Sequence, residues 1–209
     1  MHIEKLIHTY PELAVCEEEI GKAYRLLRDC YRSGGKVLVC GNGGSAADCE
    51  HIVGELMKGF RLRRDVPQTF RQSLLEAYAE DGRYLAEHLQ GALPAISLPS
   101  HVALMTAFAN DVSADLAFAQ QVYGYGARGD VLIGLSTSGN SRNVIHAMQV
   151  ARLKGLSTIG FAGAGGGRLV SLCDAAVCVP YTDTADVQER HLPVYHTLCT
   201  MLEEAFFGS

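Results

Sequence analysis

The 209-residue sequence has no apolar run approaching the roughly 20 residues of a membrane span, which predicts that no segment crosses a bilayer. Its opening Met-His-Ile-Glu-Lys lacks the basic and apolar regions of a secretory leader, so a soluble, cytoplasmic protein is expected. Long basic blocks are also missing. The net charge is −5, and the one small cluster, Arg61, Arg63 and Arg64, reads as a solvated face. Neither nucleic acid nor a membrane surface is expected as a partner. The seven cysteines include no Cys-x-x-Cys pair. Odd in number and mostly set in apolar periodic segments, they read as reduced, buried small hydrophobes, which excludes a disulfide framework and a zinc knuckle. No Gly-Lys-Ser/Thr follows a glycine loop and no intact Gly-x-Gly-x-x-Gly occurs, so a Walker loop and a dinucleotide fingerprint are both excluded.

What is present is enough apolar material, 48% of residues, to bury one full α/β core without a second domain. Apolar residues recur at three- and four-residue spacing from Leu13 to Tyr31, predicting a long N-terminal helix over about 12–32 that stops at Gly34-Gly35. Short, continuously apolar strands are expected at 36–40, 93–98, 130–135, 156–161 and 175–179, alternating with helices. Continuous rather than alternating hydrophobicity marks strands covered on both faces. The pattern therefore predicts a doubly wound, five-stranded parallel sheet in a three-layer, flavodoxin-like sandwich, with ligands beyond the carboxyl ends of its strands. Residues 1–209 form a single domain, with a helical insertion at about 60–93. A last helix over about 184–207 contains Pro193, where a kink is expected.

Two turns carry the candidate chemistry. In the first, Cys40-Gly-Asn-Gly-Gly-Ser45, the glycines allow unusual dihedrals and close ligand approach, and Ser45 is placed to cap the following helix. In the second, Ser136-Thr-Ser-Gly-Asn-Ser141, four hydroxyls and flexible backbone end a buried strand. Both turns suit a phosphate held by N–H and O–H groups without a fixed charge. Behind the first turn, His51 and Glu55 lie about 40° apart on one helix face, and on the last helix Gln188 and His196 lie about 80° apart. Together these four side chains would suit a borderline divalent ion, with glutamine the unusual ligand. His2, His8, His88, His101 and His146 read as structural or solvated.

The combination of CGNGGSAAD at 40–48, HxxxEL at 51–56, ND at 110–111, GDVLIGLSTSGNSRNV at 129–144 and QExHxxxxH at 188–196 resembles the sugar isomerase (SIS) domain family. It is closest to the branch that acts on a seven-carbon sugar phosphate. The resemblance implies that Asn42, Gly43, Gly44 and Ser45, with Ser136, Thr137, Ser138 and Ser141, hold the sugar phosphate. Asn110 and Asp111 would touch the sugar chain. Glu55 and Gln188 would also meet the substrate, Glu55 and His196 would be the acid/base pair, and His51, Glu55, Gln188 and His196 match positions that bind zinc in several members. It further implies a homotetramer with sites between subunits.

The implied reaction converts sedoheptulose 7-phosphate to D-glycero-D-manno-heptose 7-phosphate. Moving a proton between C1 and C2 through an enediol needs one group at carbon and another at oxygen. Glu55 is expected at carbon and His196 at oxygen, or the reverse. Alternatives exist within the same fold: an isomerase of another, shorter sugar phosphate, which would share the chemistry and differ in pocket length, or a non-catalytic protein, either a sugar-phosphate sensor or an adaptor like the DnaA initiator-associating protein. That adaptor lacks the carboxylate and the last histidine, whereas this chain keeps both.

Overall fold

The computed structural model describes residues 2–208, whose elements run α1 (His2–Thr9), a 3-10 segment (Pro11–Cys16), α2 (Glu17–Arg32), β1 (Val37–Cys40), α3 (Gly44–Met57), α4 (Gln68–His88) and β2 (Ala95–Ser97). They continue with α5 (Val102–Phe108), α6 (Ala117–Tyr125), β3 (Val131–Leu135), α7 (Arg142–Lys154), β4 (Ser157–Ala162), β5 (Ala175–Cys178) and α8 (Thr184–Phe207). The five strands form one parallel sheet in the order β2-β1-β3-β4-β5. Strand order reverses between β1 and β3, whose register pairs Cys40 with Gly134. That reversal opens a crevice at the carboxyl edge.

Alternate strand residues feed two cores. Val37, Val39, Val131, Ile133, Ile159, Phe161 and Val177 pack under α2, α3 and α8, while Leu38, Cys40 and Leu132 pack under α6 and α7. Gly134 lets α7 approach the sheet, because a Cβ there would stand 2.9 Å from Val144 Cγ1. All seven cysteines are free thiols, five of them buried.

Several expectations need correction. The helix expected over 12–32 is α-helical only from Glu17, because Pro11–Cys16 is a 3-10 segment, and an unforeseen α1 precedes it, separated at Tyr10 by a non-helical φ of −129° and ψ of 76°. Residues 68–88 are helical as expected and form a pair, doubling back at Tyr78 and Ala79, and a Cβ on Gly82 would strike the Leu74 carbonyl, so the two halves of α4 lie against each other. Pro193, where a kink is expected, does not end α8, which runs as one element from Thr184 to Phe207. Val102–Tyr125 is, by length and composition, apolar enough to cross a membrane, although no such run was read from the sequence, where Asp111 and Asp115 interrupt it. It is not one rod, because Ser113 is extended (φ −166°, ψ 128°) between a π-turn at Ala109–Ser113 and the start of α6. Arg64, read as part of a solvated cluster, is 1% exposed.

Candidate functional site

The two candidate turns meet at the strand-order reversal. Asn42 Nδ2 donates to Asn143 Oδ1 (2.9 Å) and Asn143 Nδ2 donates to Asn42 Oδ1 (2.8 Å), so paired amides tie the β1 turn to the start of α7. In the second turn Ser136 Oγ donates to Ser141 Oγ (2.9 Å) and accepts from the Ser141 N–H (3.3 Å). This draws the loop into a ring over the α7 N-terminus. The Thr137 and Ser138 amides donate to no group among the described residues, leaving them for an anion beside the helix end.

Ser45 does not cap α3. Gly43, at φ 57°, occupies the N-cap position without a side-chain bond, and Ser45 lies one residue inside the first turn, 3% exposed and packed against Gly41. A positive φ at the cap position favours glycine over serine there. Gly44 faces Gln188, whose amide oxygen and nitrogen would lie 2.6 and 2.7 Å from a Cβ on that residue. Gln188 thus sits over the phosphate-type turn.

Parallel α3 and α8 form the seam along which the remaining residues fall: Gly44 faces Gln188, Asp48 and His51 face Tyr195 and His196, and the chain beyond Glu55 meets Glu203. In the middle, His51 Nε2 lies 3.3 Å from Glu55 Oε1 and 3.3 Å from His196 Nε2. The His51 and His196 rings are nearly perpendicular at 83°, with Phe60 5.3 Å from the His196 ring. Burial and the neighbouring His51 hold the His196 pKa below its ordinary value, against the opposing pull of Glu55. Glu55 Oε2 is buried and accepts no hydrogen bond, with Lys58 Nζ 3.6 Å away. An orphaned buried carboxylate oxygen aimed into a cleft is suited to take a proton or a cation.

His51, Glu55 and His196 therefore converge as the sequence predicts, whereas Gln188 stands about eight residues up α8 against the glycine turn. Asn110 and Asp111 lie in the π-turn, where the Asn110 amide donates to Asp111 Oδ1 (2.8 Å), and neither bonds to the other site residues. Tetrahedral zinc with bonds of about 2.0–2.1 Å to nitrogen sets neighbouring donor atoms about 3.3 Å apart. The His51–His196 and His51–Glu55 separations fit that edge. Among the described residues, however, no group of three or more His, Cys, Asp and Glu side chains closes into a metal site.

The sequence reading missed the support for these groups. Tyr195, 2% exposed, brings its hydroxyl 3.1 Å from Asp48 Oδ1 and 3.0 Å from His51 Nδ1. At the far end, Arg64 Nε donates to Glu203 Oε1 (2.7 Å), while its other nitrogens donate to the carbonyls of Leu56 (2.7 Å) and Glu55 (2.8 Å). Glu203 also accepts the Phe60, Arg61 and Leu62 amides, which fixes the turn that carries Phe60 against His196. A cleft of about 490 Å³ between α1 and α8 opens beside His196, lined by Lys5, Arg61 and Glu204 among others.

The sheet order and paired turns are those of a SIS domain, and the chain belongs to that family, whose profile matches residues 5–70 and 75–163. That match runs through most of the region read as an insertion. Within the family, the chain is 40% identical over 193 residues to the phosphoheptose isomerase of Rhodospirillum rubrum, spanning 92% of this chain and 89% of the relative. It is 39% identical to that of Nitratiruptor sp. over 98% of both chains. Among solved structures, the phosphoheptose isomerase GmhA of Neisseria gonorrhoeae superposes with a TM-score of 0.76 at 30% identity, covering 97% of this chain and 95% of that one. The Francisella tularensis enzyme gives 0.77 at 29% identity, covering 96% and 94%.

Proposed function

We propose that this protein is a phosphoheptose isomerase, an aldose–ketose isomerase converting sedoheptulose 7-phosphate to D-glycero-D-manno-heptose 7-phosphate. The observation that carries this reading is the meeting of Glu55, His51 and His196 on one seam that begins at a phosphate-type turn. Seven residues of helix, about 10 Å, separate Gly44 from His51, a span suited to an extended sugar with its phosphate at one end and its carbonyl at the other. Close relatives bearing the name at about 40% identity support the same substrate class.

In this reading Asn42, Gly43, Gly44, Ser136, Thr137, Ser138 and Ser141 hold the phosphate, and Gln188 orients the sugar beside it. Ser45 contributes by packing the turn. Asn110 and Asp111 would reach the sugar chain across a subunit contact. Glu55 takes the proton from carbon, because its Oε2 is buried and accepts no hydrogen bond. His196, kept largely neutral at pH 7 by its lowered pKa, exchanges protons with the oxygens. A carboxylate at carbon with a neutral histidine at oxygen is also how triosephosphate isomerase divides the same chemistry.

Zinc, or another divalent ion, would be held by His51, Glu55 and His196, with Gln188 completing the set after it moves from Gly44. Such an ion polarises a carbonyl and stabilises an enediolate. We also assign a homotetramer with sites between subunits, supported by α5, which has no buried residue, and by the exposed Val102, Val112 and Tyr123 around it.

Incubation with sedoheptulose 7-phosphate is expected to yield the aldose, with C2 proton exchange into solvent. Glu55→Gln should reduce both by at least about a hundredfold while leaving the melting temperature unchanged. Dialysis against chelator and reloading with zinc would show whether turnover depends on the ion, and light scattering would give the assembly. A wild-type protein that binds the sugar phosphate without exchange would overturn the isomerase in favour of a sensor.

A further inference from the structure

His51 touches two environments through its two nitrogens, and hydrogen counting decides which one carries the proton. Nε2 is hydrogen-bonded to Nε2 of His196 at 3.3 Å, while Glu55 Oε1, also 3.3 Å away, lies outside hydrogen-bonding geometry. Nδ1 faces inward, 3.0 Å from the Tyr195 oxygen. That hydroxyl has one hydrogen and a second neighbour, Asp48 Oδ1, at 3.1 Å. An ionised carboxylate only accepts, and a charged acceptor competes better for the hydroxyl hydrogen than a neutral imidazole nitrogen does. Once Tyr195 O–H is committed to Asp48, its oxygen is left to accept, and among the described residues the donor that fits is an N–H at His51 Nδ1.

We propose that Asp48 and Tyr195 are positioning residues that hold His51 as the Nδ1–H tautomer, with the Nε2 lone pair turned to accept from His196. The proposal rests on the reading of His51 as a site residue. Its consequence is specific. A lone pair at Nε2 is what a cation needs and what an N–H of His196 can donate to, whereas the opposite tautomer would present a hydrogen there. The rings also stay put, because Tyr195 is fully enclosed and packs edge-on to His51 at 5.5 Å and to His196 at 5.1 Å. One tyrosine on α8 thereby sets the orientation of a histidine on α3. Outer-shell partners of this kind typically change activity or metal affinity by about ten- to a hundredfold when removed.

The test uses the full-length protein, histidine-labelled with nitrogen-15 and freed of metal by chelator, with the His51 signal assigned by its loss in His51→Asn. Long-range proton–nitrogen correlation spectra at a pH where imidazole is neutral should show His51 protonated at Nδ1. Tyr195→Phe removes the acceptor and keeps the ring, so the Nδ1–H signature should give way to Nε2–H, with turnover lowered about ten- to a hundredfold. Asp48→Leu removes the acceptor and leaves the Tyr195 hydroxyl free to donate to Nδ1, so the Nδ1–H signature should weaken in favour of Nε2–H without touching Tyr195. Should Tyr195→Phe not fold, Asp48→Leu decides the question. A wild-type His51 protonated at Nε2, or an Nδ1–H signature that survives either substitution, overturns the proposal. A wild-type protein without turnover would sink the isomerase reading while leaving the tautomer result intact.

Discussion

Arg64 Nε lies 2.7 Å from Glu203 Oε1, and both side chains are completely shielded from solvent. Two buried charges stay ionised only when their hydrogen-bonding capacity is met, and here Glu203 takes three backbone amides besides the guanidinium. Burial alone would raise the Glu203 pKa, but those amides and Arg64 outweigh it and bring it below its ordinary value. The pair joins the end of α3 to the end of α8, and so holds the Glu55 and His196 backbones at a fixed distance.

Removing one partner should therefore be severe. Arg64→Met or Glu203→Gln is expected to lower unfolding stability by about 3–5 kcal/mol. In urea titrations the double variant should lose clearly less than the sum of the two single losses, because each single change leaves a buried charge or dipole uncompensated. Additive losses would mean that the pair is not coupled.

Gly44→Ala separates ligand contact from stability. The nearest atoms to the new Cβ are the far end of Gln188, at 2.6 Å from its Oε1, and Gly44 has no left-handed dihedral to lose. Alanine also favours the helix by up to about 1 kcal/mol. Melting should be unchanged or slightly higher while KM for the sugar phosphate rises several-fold. The effect should largely vanish in a Gln188→Ala background, where nothing is left to displace.

Ser136→Ala tests the second turn. It removes the acceptor of the Ser141 N–H and the partner of the Ser141 hydroxyl, at a cost of about 1–3 kcal/mol in loop order. Inhibition by inorganic phosphate is expected to weaken in step with the rise in KM. A loss of kcat with KM untouched would place the phosphate elsewhere.

Different parts of this molecule were legible in the sequence to different degrees, for physical reasons. β1 and β3 read clearly because both faces are covered and no residue is polar, and β4 because its stretch from Ile159 to Ala162 is equally apolar and buried. The turns at 42–45 and 136–141 stood out because glycine and hydroxyl residues at strand ends have few other uses. His51 and Glu55 share a helix face by periodicity alone. The approach of His196 to His51 spans 145 residues and depends on α3 lying parallel to α8, which no local pattern encodes. Arg64 looked solvated because its partner Glu203 is 139 residues away. Tyr195 looked like ordinary core, which it also is. Residue preference points to Ser45 as the cap, but a positive φ two residues earlier gives that place to Gly43.

His191 makes the stability of the fold depend on acidity. Fully buried on α8, it can donate Nε2–H to the Ala162 carbonyl at 3.3 Å, which leaves Nδ1 without a partner against the edge of Phe161. Burial pushes its pKa down from 6.5 to about 4, the Ala162 carbonyl opposing only partly. The unfolded chain therefore takes up this proton at higher pH than the native one does. The stabilisation is fully present above pH 6.5, falls progressively as the pH drops, and is spent at about pH 4; the loss is about 3 kcal/mol over that window. His191→Gln has no proton to take up, so it should flatten the dependence of urea midpoints on pH between 6.5 and 4, whatever its cost at neutral pH. An unchanged slope would mean that another group governs acid unfolding, and that His191 reaches solvent before the fold opens.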